Sequence, residues 1–140
     1  MIKSIPAKTY NGKLQKPSVI VSVQKDGKAK KLAKNKDYTV SYENNFHAGT
    51  ATVIVKGKGN YEGLTKKINF VINPQKIAKA SVKGDQGNLV LIYGKNLLKE
   101  GTDYEPPVYG TVNKNKVQVT IRGKGDFTGE MTKKVKTQSK

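Results

Sequence analysis

Val53-Ile54-Val55-Lys56-Gly57-Lys58-Gly59-Asn60-Tyr61-Glu62-Gly63 returns as Val119-Thr120-Ile121-Arg122-Gly123-Lys124-Gly125-Asp126-Phe127-Thr128-Gly129, at an offset of 66 residues. The same offset carries Asp37-Tyr38 onto Asp103-Tyr104 and Leu32 onto Leu98, so a whole order is repeated and not one short string. A period of this length marks tandem structural units. In 140 residues it leaves room for two, 1–74 and 75–140, meeting at Asn73-Pro74. Duplicated small modules point to spacing or binding more than to catalysis.

Working outward from the repeat, period-2 alternation of apolar and polar residues dominates, the pattern of half-buried strands. In the first copy it predicts strands over Val19–Val23, Asp37–Tyr42, Thr50–Val55 and Lys67–Ile72, with turns at Asp26-Gly27 and Asn44-Asn45. Tyr38, Val40 and Tyr42 fall on one face. The second copy predicts strands over Asn88–Tyr93, Lys116–Arg122 and, more weakly, Met131–Lys136. Pro106-Pro107 removes two ladder donors after Asp103-Tyr104-Glu105, which makes that element an edge or breaks it. Ala29–Lys34 has room for one helical turn at most. The fold class is therefore all-β, two small tandem sandwich modules.

Composition sets further bounds. Apolar residues are 35% of the chain, against about 45–50% in ordinary globular domains, so the cores are lean. With no cysteine, disulfides and thiolate metal sites are excluded. No stretch approaches the ~20 apolar residues of a membrane span. Met1-Ile2-Lys3 opens directly in module sequence and Gln138-Ser139-Lys140 carries no anchor signal, as expected of a fragment of a longer protein. Lys and Arg number 27 against 10 acids, a formal charge of +17 shared by both copies. Such a surface attracts polyanions: wall polymers, acidic glycans, nucleic acid or anionic head groups. Arg122 is the only arginine, and base reading favours the guanidinium fork, so nucleic acid would be bound without sequence specificity. Lys56, Lys58, Arg122 and Lys124, flanking the repeated glycines, are the candidate contacts.

Catalytic or cofactor chemistry finds little to use. His47 is the only histidine, placed in a turn with no counterpart in the second copy. Asp37 and Asp103 recur ahead of a tyrosine, which fits capping of a turn better than catalysis or calcium, since calcium needs clustered oxygen ligands. Gly57-Lys58-Gly59 and Gly123-Lys124-Gly125 lack the following helix and the spacing of a phosphate loop; they read as corners after which Tyr61 or Phe127 returns to the core. No cofactor or metal is expected. Among seven tyrosines, Tyr10, Tyr42 and Tyr109 could face solvent as a sugar platform, whereas Tyr38, Tyr61 and Tyr104 belong to the repeat and to half-buried positions. Lysine and asparagine are both abundant enough for an intramolecular isopeptide bond, with no pair singled out.

Thr9-Tyr10-Asn11-Gly12-Lys13, Lys36-Asp37-Tyr38-Thr39-Val40-Ser41-Tyr42, Asn44-Asn45 and Ala48 to Gly63 together resemble the tandem all-β repeats of large secreted and cell-surface proteins of Gram-positive bacteria. Those repeats are similar to bacterial immunoglobulin-like modules; mucus-binding-type repeats, with β-grasp-like sheets, are the alternative. The second copy departs from the pattern at Glu105-Pro106-Pro107 and Val117-Gln118. The resemblance implies an extracellular, non-enzymatic structural or adhesive segment and brings no catalytic or binding residues with it. Two other functions remain open: a basic polyanion-binding module, for wall polymer, acidic glycan or nucleic acid, and a carbohydrate-binding module.

Overall fold

A computed structural model describes residues 2–137. The chain is all-β, with two single-turn 3-10 segments and no α-helix among the described residues. It divides into two compact units, residues 1–8 with 13–73, and residues 9–12 with 74–140.

The first unit is built on β1 (Lys8–Thr9), β2 (Ser22–Lys25), β3 (Lys28–Lys31), β4 (Tyr38–Glu43), β5 (Gly49–Gly57) and β6 (Thr65–Asn73). The central sheet runs in the order β1-β6-β5-β4. β5 is its spine: Val53 faces Tyr42 on one side and Ile68 on the other, in antiparallel register. Alternation along β5 buries Ala51, Val53 and Val55, which meet Tyr38, Phe70 and Ile72 in the core. β2 and β3 form a hairpin closed by Asp26 and Gly27, both at positive φ (52° and 77°), as a tight two-residue turn demands.

Two expectations change here. The predicted strand over Val19–Val23 is displaced to Ser22–Lys25. Its backbone groups go to separate partners: Ile20 accepts from Lys3, Val21 bridges Ile2, and the Val21 carbonyl accepts from Leu32. The predicted single helical turn over Ala29–Lys34 is also replaced, because Lys28–Lys31 zips onto β2.

In the second unit follow β7 (Gln75–Lys76), β8 (Ser81–Asp85), β9 (Asn88–Tyr93), β10 (Asn96–Leu97), β11 (Val108–Asn113), β12 (Lys116–Arg122), β13 (Phe127–Thr128) and β14 (Glu130–Lys136). They make sheets β10-β9-β8 and β11-β12-β14, and a parallel pair β13-β7. The core takes Leu91 from the first sheet, Val117, Val119, Ile121, Met131 and Val135 from the second, and Ile77 from the turn (Ile77–Lys79) after β7. β8, absent from the sequence reading, pairs along its whole length with β9. After Pro106-Pro107 the strand restarts at Val108 as an edge, with a register break between Tyr109 and Val112. Tyr104 is left with isolated bridges to Glu100 and Gly123.

The repeat acquires a physical meaning at one corner. In the first unit the Asp37 carboxylate accepts from the Ala33 amide, the Asp37 amide donates to the Ala33 carbonyl, and the Lys58 amide donates to the Asp37 carbonyl. In the second, Asp103 makes the same three bonds with Lys99 and Lys124. Each aspartate thus locks a turn and ties it to the glycine corner. Asp37→Ala and Asp103→Ala should each cost about 1–2 kcal/mol, the worth of a charge-assisted bond to the backbone. Urea unfolding checks this; Asp→Asn should recover a large part of the loss because the amide oxygen still accepts.

Candidate functional site

Exposed lysines become a site only where the backbone gathers them, and in the second unit β12 and β14 do so. Their inward residues alternate as Val117, Val119 and Ile121 against Val135 and Met131. Alternation then sends Lys116, Gln118, Thr120 and Arg122 outward, with Glu130, Thr132, Lys134 and Lys136 beside them. Antiparallel register sets Lys116 opposite Lys136, Gln118 opposite Lys134, Thr120 opposite Thr132, and Arg122 opposite Glu130.

Directly opposed side chains lie within about 5.5 Å at Cβ, and like charges there are destabilising. At one end of the face the problem is solved, since Arg122 Nε lies 3.1 Å from Glu130 Oε2. At the other end Lys116 and Lys136 face each other with no acid in the facing register positions. Lys114, at φ 59° in the β11–β12 turn, adds a further ammonium. A shallow depression there is lined by Thr111, Asn113, Lys114, Lys116, Gln118 and Lys134. Chemically it is a multivalent cation with hydroxyl and amide donors around it, suited to phosphate, sulfate or carboxylate groups on a polymer.

The four cations expected from the sequence are placed otherwise. Lys56 is exposed on β5, opposite Thr39 and Thr65. Lys58 donates its ammonium to the Asn35 carbonyl at 2.9 Å. Arg122 is engaged by Glu130, and Lys124 is exposed at the second corner. Proximity in sequence to the glycines put Lys58 and Arg122 into local bonds. The β12–β14 face was hidden in the sequence because it depends on cross-strand register, although the alternation in Lys116-Val117-Gln118-Val119 signals one solvent face.

The remaining candidates are spent structurally. His47 is exposed, its ring edge-on to Phe46 with centroids 4.8 Å apart. Tyr10, expected at the surface, is instead 6% exposed. Its ring packs against Tyr93 and Phe127, and burial holds its hydroxyl above the ordinary phenol value, with Asp126 adding to the effect. Tyr42 and Tyr109 are also not open platforms: the Tyr42 hydroxyl donates to the Pro17 carbonyl, and the Tyr109 hydroxyl accepts from the Gly87 amide. Burial raises Tyr42 and Tyr104 as well. Among the described residues no three His, Asp or Glu are grouped to hold a metal ion, and no helix is long and apolar enough to cross a membrane. No protein-family model, curated protein or solved structure matches the chain.

Proposed function

We propose that this chain is a non-catalytic structural or adhesive segment, two immunoglobulin-like repeats acting as spacer or stalk in a secreted or cell-surface protein of a Gram-positive bacterium. The supporting observation is what the two copies share. Asp37 and Asp103, Tyr38 and Tyr104, and Gly57 and Gly123 are all consumed by the same internal bonds and close packing in each unit. Duplication has preserved an architecture, and no reactive side chain is repeated with it. Single-molecule stretching tests the reading. A load-bearing segment should yield two separate unfolding steps, each releasing roughly 20 nm at about 3.4 Å per residue. Extension without resolvable steps would overturn it.

A second reading, docking to an anionic polymer, is favoured by the opposed lysines of the β12–β14 face. Neutralising four charges makes affinity fall about 10²-fold between 50 and 200 mM salt on the counterion-release slope. Titration with heparin or teichoic acid should show this steep dependence. Lys134→Glu with Lys136→Glu should abolish it, while Lys56→Glu with Lys58→Glu should not. Equal losses from both pairs would reduce the attraction to net charge alone.

A further inference from the structure

The two units differ at one place, and the difference has the shape of a missing strand. In the second unit Gln75–Lys76 pairs in parallel with Phe127–Thr128, and the Gln75 amide donates to the Asp126 carbonyl. The chain then turns through Ile77–Lys79, packed on β14, burying Ile77 completely and Ala80 to 5% exposure. It enters β8, where Val82 stands opposite Leu91.

The counterpart of Val82 in the first unit is Ile2. Ile2 bridges Val21, whose carbonyl accepts from Leu32 just as Leu91 accepts from Leu98. Only Met1 precedes Ile2, so this sequence holds no counterpart of Gln75 to Ala80. The surface that such residues would cover is correspondingly open. Thr65-Lys66-Lys67 matches Thr132-Lys133-Lys134, which makes Leu64 the counterpart of Met131. Leu64 is 60% exposed and Met131 6%. Tyr61, the counterpart of Phe127, is only half-buried. Between them lies a cavity of about 150 Å³ whose walls include Val21, Leu32, Tyr38, Val55, Tyr61 and Leu64. A space of that order accepts a benzene-sized apolar group, ample for an isoleucine side chain.

We propose that this cavity is an acceptor site for the junction segment of another repeat. The occupant is an extended peptide of the Gln75-Lys76-Ile77-Ala78-Lys79-Ala80 type, running parallel to Tyr61-Glu62, with its isoleucine in the cavity and its alanine over the sheet. The occupant's chemistry is that of the segment filling the same place in the second unit. Recognition is strand addition, with backbone bonds for affinity and one apolar pocket for specificity. The inference rests on the internal duplication and is independent of whether the parent protein is a stalk or a polymer binder.

The test uses the full chain with the sequence of residues 75–81 placed ahead of Ile2. Linkage in cis supplies a high effective concentration. The unfolding midpoint of the first unit, followed by amide signals of β5, should rise by roughly 5 °C or more, and Leu64 and Tyr61 should become protected from solvent. Aspartate at the grafted isoleucine should cancel the rise. A synthetic peptide of residues 73–82 added in trans should shift the amide signals of residues 60–66, and the aspartate peptide should not. An unchanged midpoint with unprotected Leu64 would overturn the proposal. So would concentration-dependent self-association of the ungrafted chain abolished by Leu64→Asp, since the site would then belong to a second copy.

Discussion

Gly123→Ala should cost the second unit about 3 kcal/mol or more, at the upper end of overpacking penalties. A Cβ built on Gly123 would stand 2.5 Å from the Thr128 amide nitrogen and 2.6 Å from the Phe127 carbonyl carbon. Both are backbone atoms, and the corner cannot open to relieve them. The Gly123 amide donates to the Gly129 carbonyl and the Lys124 amide to the Asp103 carbonyl, so each side is pinned. Gly57→Ala should do the same to the first unit, where the clash is with the Tyr61 carbonyl. Gly110 is the control: its nearest neighbour is 3.8 Å away, so alanine there should stay within about 0.5 kcal/mol. Denaturant melts of the three variants decide the matter; equal effects at Gly110 and Gly123 would remove the steric account.

Phe127→Ala should be comparably severe, about 3–5 kcal/mol for a buried aromatic truncated in a core. Phe127 is 2% exposed, with Tyr10 and Tyr93 edge-on at 5.4 and 5.3 Å between centroids. Such aromatic pairs add about 0.5–1.5 kcal/mol beyond area. A unit this small has a stability near the low end of the 5–15 kcal/mol range, roughly 5 kcal/mol, so the variant should be largely unfolded at 37 °C. Tyr61→Ala should cost clearly less, because the cavity beside Tyr61 already deprives it of neighbours. Circular dichroism melts of the two variants test the asymmetry, and a Tyr61 loss as large as that of Phe127 would contradict it.

The long strands were legible because alternation and burial coincide in them. Asn88–Tyr93 and Lys116–Arg122 have the predicted bounds, since apolar residues at every second position anchor each in a sheet. The short elements were not. β7, β13 and the bridge at Ile2 have one or two residues each and owe their existence to partners far along the chain. β8 was missed because Ser81-Val82-Lys83-Gly84-Asp85 has one apolar residue, and its ladder is set by β9. The glycine corner was recognisable in outline; that Asp37 and Asp103 serve it was anticipated as capping. The lysine face was not, for strand register cannot be read from one strand at a time. Tyr10 looked free because nothing local covers it, while Gln75 Nε2 donates to its carbonyl from 65 residues away.

The interruption at Pro106-Pro107, with the register break that follows in β11, bears on how neighbouring copies avoid one another. Tandem modules of like sequence are tethered at high local concentration, and a strand can be captured by the wrong sheet during folding. A flat, fully paired β11 would offer the same donor pattern as β4, its counterpart in the first copy. Two prolines without amide hydrogens and a bulge make the two edges non-interchangeable. Divergence between the copies then has a use: it is the mismatch that lets each half of the chain find its own partners.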